Sequence, residues 1–146
     1  MQSENFRNVA ARDRLAATYC RIGRIQIKLR DFQTATITLN RARTLADVEG
    51  ASANANAQAL YTMADSYSGL GEVEVALGTN TRQTTTARVE HWKNAISWYE
   101  RSLTTWTQIK EPGLVSPDAF DAVPPTVVTQ QLVLANKALG RLTAHK

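Results

Sequence analysis

A single cysteine, Cys20, and two histidines, His91 and His145, stand among 146 residues. One cysteine excludes an internal disulfide and a cysteine-built zinc site. Two histidines with no carboxylate at ligand spacing leave no metal constellation. Proline is nearly as scarce: all four (Pro112, Pro117, Pro124, Pro125) lie between residues 112 and 125, so nothing earlier in the chain forces a break in a helix. No apolar run approaches the ~20 residues that a bilayer span requires. The polar stretch Met1–Asn8 lacks the apolar segment of a secretory leader. These absences lead to the expectation of a cytoplasmic protein with no membrane contact, no metal and no cofactor.

Clean β-type alternation is also missing, and what is present is helical periodicity. An apolar fraction of 43% and a charged fraction of 21% suit one folded domain of ordinary size. The net charge of +4 is concentrated: residues 1–50 hold nine bases against five acids, and the remainder holds eight of each. A basic first third could favour an acidic partner or nucleic acid, although a solvated helix face explains such a run more simply.

Five helices are predicted. The first starts near Ser3 or Asn5 and carries the stripe Ala11, Leu15, Tyr19, Ile22, Gln26, Leu29. Asp31 caps a second, with Phe32, Ala35, Leu39, Ala42 and Leu45 on one side and Gly50 at its end. The third opens near Ala53, carries Leu60, Met63, Ala64, Tyr67 and Leu70, and is expected to stop at Gly71. Gly78 to Thr86 reads as a polar loop. A fourth helix follows with Trp92, Ile96, Tyr99, Leu103 and Trp106 on one side, and Pro112-Gly113 ends it. After an irregular segment, 111–124, a last helix begins at Pro125 with the stripe Val128, Leu132, Ala135, Leu139, Leu142. Short links between long helices imply antiparallel hairpins.

The first two hairpins share a pattern. Tyr19-x2-Ile22-Gly23-x2-Gln26 followed by Ala35-x3-Leu39-x2-Ala42 is matched by Leu60-x2-Met63-Ala64-x2-Tyr67 followed by Ala76. This resembles the tetratricopeptide repeat, in which small residues sit where paired helices approach closely and large ones fill the gap between hairpins. Arg30 stands where the inter-helix turn of that family usually has glycine, and Gln26 where it has tyrosine. Trp92-x2-Ala95-Ile96-x2-Tyr99-x2-Ser102-Leu103 also looks like a second helix of the repeat, so residues 73–89 are taken as an insertion at a hairpin turn. The resemblance implies an all-α domain: repeat one over about 16–49, repeat two over about 57–110, and a capping helix over about 125–143, stacked as a short right-handed superhelix. The segments 59–71 and 92–103 are similar, more narrowly, to the C-terminal repeat region of certain bacterial serine/threonine protein kinases. No kinase motif is present.

Members of this repeat family bind peptides along the inner side of each hairpin's first helix. The resemblance places Ala17, Cys20, Arg24, Ile27 and Lys28 there in the first copy, and Gln58, Tyr61, Asp65, Ser68 and Gly69 in the second. It implies a non-catalytic scaffold that holds a protein or peptide, with an acidic segment suited to Arg24 and Lys28. Self-association through unpaired apolar faces is the alternative. Nucleic-acid binding ranks lower, because no aromatics interleave the arginines. Cys20 beside Arg24 has the charge environment of an activated thiol but more simply fills a helix contact. His91, between Glu90 and Lys93, has no nucleophile near it and reads as surface. Thr84, Thr85 and Thr86 near Arg82 and Arg88 would suit phosphorylation, and more simply form a polar loop. Trp98, off the main stripe, is either packed on the last helix or exposed as an interface anchor.

Overall fold

The computed structural model describes residues 2–50, 57–109 and 123–144, without the side chains of 2–7, 9 and 48–50. Its elements are all helical: α1 (Gln2–Lys28), α2 (Phe32–Gly50), α3 (Ala57–Thr79), α4 (Thr85–Thr107) and α5 (Pro125–Thr143). Each helix packs on the next, and α1 also packs on α3. No helix among the described residues is long and apolar enough to cross a membrane. The expected opening at Ala53 and nearly all of segment 111–124 lie outside the described residues. α1 is already helical at Gln2, ahead of both expected caps.

The turn from α1 to α2 takes only three residues. Asp31 N–H donates to Gln26 O (2.9 Å) and Arg30 N–H to Ile27 O (2.9 Å), which is a Schellman closure. Such a closure needs one residue in the left-handed region, and Arg30 supplies it with φ 62°. Its guanidinium lies 5.3 Å from the centre of the Phe32 ring. As expected, Asp31 caps α2, its Oδ1 accepting from Thr34 N–H at 3.4 Å.

Two glycines behave differently from expectation. α3 does not stop at Gly71 but continues through Gly78 to Thr79, so residues 73–79 are helical and the turn shrinks to 80–84. The reason is packing. A Cβ on Gly71 would lie 2.5 Å from the Tyr99 ring, and one on Gly78 would lie 2.9 Å from Trp92. These glycines admit aromatic rings and so serve the α3–α4 contact, where two helices can approach only if one side is bare. Their seven-residue spacing equals that of Trp92 and Tyr99, which sets the two helices antiparallel. Thr84 caps α4 by accepting from Ala87 N–H at 3.1 Å, and Arg88 donates to Gly78 O at 2.8 Å, satisfying a terminal carbonyl of α3. Segment 73–89, taken as an insertion, thus lengthens both helices of this hairpin. Pro125 starts α5 as expected, with Val128 N–H bonded to Pro124 O at 3.1 Å.

Small residues let α1 approach its neighbours. Ala16, Cys20 and Gly23 are buried, and a Cβ on Gly23 would stand 2.6 Å from Leu39, itself fully buried. The predicted α1 stripe is not the core face: Leu15 is 45% exposed, Ile22 39% and Leu29 74%. α1 therefore has two apolar faces, of which the smaller-chained one packs inward. The core continues through Leu60, Met63, Tyr67, Leu70 and Val73 of α3 and ends in Trp92, Ala95, Tyr99, Val128 and Ala135, where α4 meets α5.

Candidate functional site

The expected groove residues divide into two groups. Cys20, Arg24, Asp65 and Ser68 come together, but as a cross-brace between α1 and α3 and not as a lining open to a partner. Arg24 reaches across from α1: Nε donates to Asp65 Oδ2 (3.1 Å), Nη2 pairs with Asp65 Oδ1 and donates to Ser68 Oγ (3.0 Å), and Nη1 meets Glu72 Oε1 at 3.4 Å. Cys20 Sγ donates to Asp65 Oδ2 (3.0 Å), and the backbone N–H of Val123, just ahead of α5, donates to Asp65 Oδ1 (3.1 Å). Both carboxylate oxygens of Asp65 are thus occupied from within the chain.

Electrostatics agree with an internal role. Burial, with Asp65 second, pushes the Cys20 thiol well above its usual value, so it remains a protonated donor. This removes the activated-thiol reading, since a nucleophile would need the opposite shift. Burial alone would lower the pKa of Arg24, but Asp65 and Glu72 outweigh it and raise it above the ordinary value.

The remaining expected residues are elsewhere. Lys28 is exposed at the end of α1, and Ile27 packs against the first core cluster. Tyr61 meets Trp106 edge-on, with ring centres 4.8 Å apart. Trp98 is neither packed on the last helix nor exposed as an anchor. It stacks on Tyr67 at 5.8 Å, with the guanidinium of Arg43 at 5.6 Å and that of Arg101 at 4.9 Å from its ring centre, and so joins the first hairpin to the second. His91 is not simply surface either: its Nδ1 lies 2.6 Å from Glu74 Oε2 on α3.

What stays open is a groove of about 380 Å³ farther along the molecule. Trp92 and Tyr99 of α4 form its floor, Glu72, Val75 and Ala76 of α3 one wall, and Gln131, Leu134 and Ala135 of α5 the other. The rings reach this floor because Gly71 and Gly78 leave room beside them. Burial, followed by the charge of Glu72, raises the pKa of Tyr99, whose hydroxyl therefore stays protonated at neutral pH. Its lining is mostly apolar, with Glu72, Gln131 and Tyr99 as polar points, a composition suited to gripping an apolar side chain and orienting what carries it.

No family model matches this chain, and neither a curated protein nor a solved structure does.

Sequence reasoning missed Glu72, Tyr99, Gln131 and Leu134 as lining residues. The signal was available in part. Glycines seven apart on one helix, facing aromatics seven apart on the next, mark a close seam, whereas each glycine taken singly looks like a stop.

Proposed function

We propose that this chain is a non-catalytic protein-binding module of the tetratricopeptide type, which holds a peptide segment by an apolar side chain placed between α3 and α5. The observation that carries the reading is the groove floored by Trp92 and Tyr99. A buried aromatic floor with open sides suits a chain lying across it, since such pockets house the anchor residues of protein contacts. The order of packing supports a repeat: each helix on the next, with α1 on α3 as well. Gly23, with Leu39 close against it, and the fully buried Ala35 and Ala64 lie where the repeat pattern puts small residues. The inner-face set Cys20, Arg24, Asp65 and Ser68 has no part in this proposal, because those side chains satisfy one another. Nucleic-acid binding through the basic first third draws less support, since two of its bases, Arg24 and Arg43, are engaged with Asp65 and Trp98. A role as the tail of a larger kinase rests only on the sequence likeness.

Selection of a random peptide library on the immobilised chain tests the proposal, with Ala76→Arg and Leu134→Glu variants as counter-screens. Enriched peptides should share an apolar anchor and lose at least tenfold in affinity to either variant, while circular dichroism of the variants stays helical. Peptides that bind the variants as well as the parent, or no enrichment at all, overturn it.

A further inference from the structure

A second surface lies on the other side of α1, away from α3, and it is independent of the α3–α5 groove. Here α1 exposes Leu15, Ile22, Ile25 and Leu29, and α2 exposes Ile37. Between the two helices runs a groove of about 590 Å³, in whose lining Leu15, Tyr19, Ile37 and Leu45 are the apolar members. From Leu15 to Leu29 the α1 stripe is about four turns long, roughly 21 Å at ~1.5 Å per residue. An apolar stripe of that length left uncovered on a folded domain marks a contact surface.

The molecule itself contains a model of what covers such a stripe. On α3, residues Leu60, Met63 and Tyr67, spaced by three and then four, pack with Ala46 and Leu45 of the helix α2 lying against them. On α1, Tyr19, Ile22 and Gln26 have the same spacing; Tyr19 packs in part against the first core cluster, while Ile22 between them stays 39% exposed. A helix is thus the shape that fits, as α2 fits α3.

Charge then selects its chemistry. Arg41 is the charged member of the groove lining, and among the described residues it has no ionic partner. Arg14, exposed beside Leu15, has none either. The hairpin as a whole carries the chain's entire positive excess. A second copy docked back-to-back would bring two such basic faces together with no acid in the groove to meet them. We infer that the α1–α2 face receives an acidic amphipathic helix of about four turns from a partner protein, its apolar stripe on Leu15, Tyr19 and Ile37 and its carboxylates at Arg41 and Arg14.

Two synthetic helical peptides of ~18 residues test this, each with Leu and Ala at i, i+3, i+4 and i+7 and with either Glu or Lys on the flanks. Binding to the full chain is followed by fluorescence anisotropy at low and physiological salt. The Glu peptide should bind saturably and at least tenfold more tightly than the Lys peptide, with the gap narrowing as salt rises. Arg41→Glu should erase that preference, Ile37→Asp should weaken the Glu peptide at least tenfold, and Leu134→Glu in the other groove should change nothing. Both substituted side chains are exposed, and a second variant, Leu15→Gln, checks the α1 side. Equal binding of the two peptides, no binding of the Glu peptide, or indifference to Ile37→Asp overturns the inference. So does a dimer in sedimentation that Ile37→Asp dissociates, because the face would then pair with its own copy.

Discussion

Residues that break a local rule are where this protein is most informative. Gly71 sits in mid-helix, where alanine is ordinarily better by ~1 kcal/mol. Because its missing Cβ houses the Tyr99 ring, Gly71→Ala should instead destabilise by ~1–3 kcal/mol, the usual cost of overpacking. Gly140 is the control: nothing lies within 4 Å of a Cβ there, so Gly140→Ala should stabilise by up to ~1 kcal/mol. Urea titration of both variants gives opposite signs, and two gains would dismiss the seam. Arg30 pays a backbone cost at φ 62° that glycine would not, partly offset by its stacking on Phe32. Arg30→Gly should raise the urea midpoint, by about 0.5–1 kcal/mol in free energy. Cys20 has a pH signature. Its folded pKa is raised, so folding favours the protonated thiol, and that stability is complete below the unfolded value of ~8.5 and falls as pH climbs beyond it. Cys20→Ser keeps a donor for Asp65 without that titration, and its stability should decline less than the parent's between pH 8 and 10. Parallel declines would remove Cys20 as the cause.

At the scale of elements, helix number and order were legible in the sequence, because a period of three and four is a local property. The Asp31 cap and the start at Pro125 were legible for the same reason. The end of α3 was not, since whether a glycine stops a helix or admits a ring depends on a side chain 28 residues away in Tyr99. The α1 face was misjudged on related grounds: periodicity finds apolar stripes but does not say which of two turns inward, and here Ala16, Cys20 and Gly23 won by allowing closer approach. The candidate site fared least well. Arg24 of α1 and Asp65 of α3 bond each other, and that mutual satisfaction is a matter of distance, which spacing alone does not supply. The shortened turn yields its own expectation. Trypsin should cut after exposed Arg82 before Arg88, Lys93 or Arg101 of α4, because Arg88 is tied to Gly78. Cleavage at Arg88 first would mean that the capped start of α4 opens more readily than the turn.

For the whole molecule, the decisive feature is one carboxylate. Asp65 binds Arg24 and Cys20 from α1 and the backbone ahead of α5, joining three places far apart in the chain. Asp65→Asn would leave the largely buried Arg24 with Glu72, at 3.4 Å, as its remaining charge partner, and we expect a loss of ~3 kcal/mol. The double variant Arg24→Met with Asp65→Leu should lose less, and a cycle showing simple additivity would argue against the pairing. A further consequence concerns how the fold comes apart. Stacked helical units that touch only their neighbours can fray from either end, each opening with its own free energy. Loosening α1 would take Arg24 and Cys20 away from the Asp65 carboxylate that also holds the approach to α5, leaving a buried charge there uncompensated and so coupling the opening of the two helices. Amides of α1 and α5 should then exchange with deuterium through a shared opening in the native protein, and through separate ones once Asp65 is neutral.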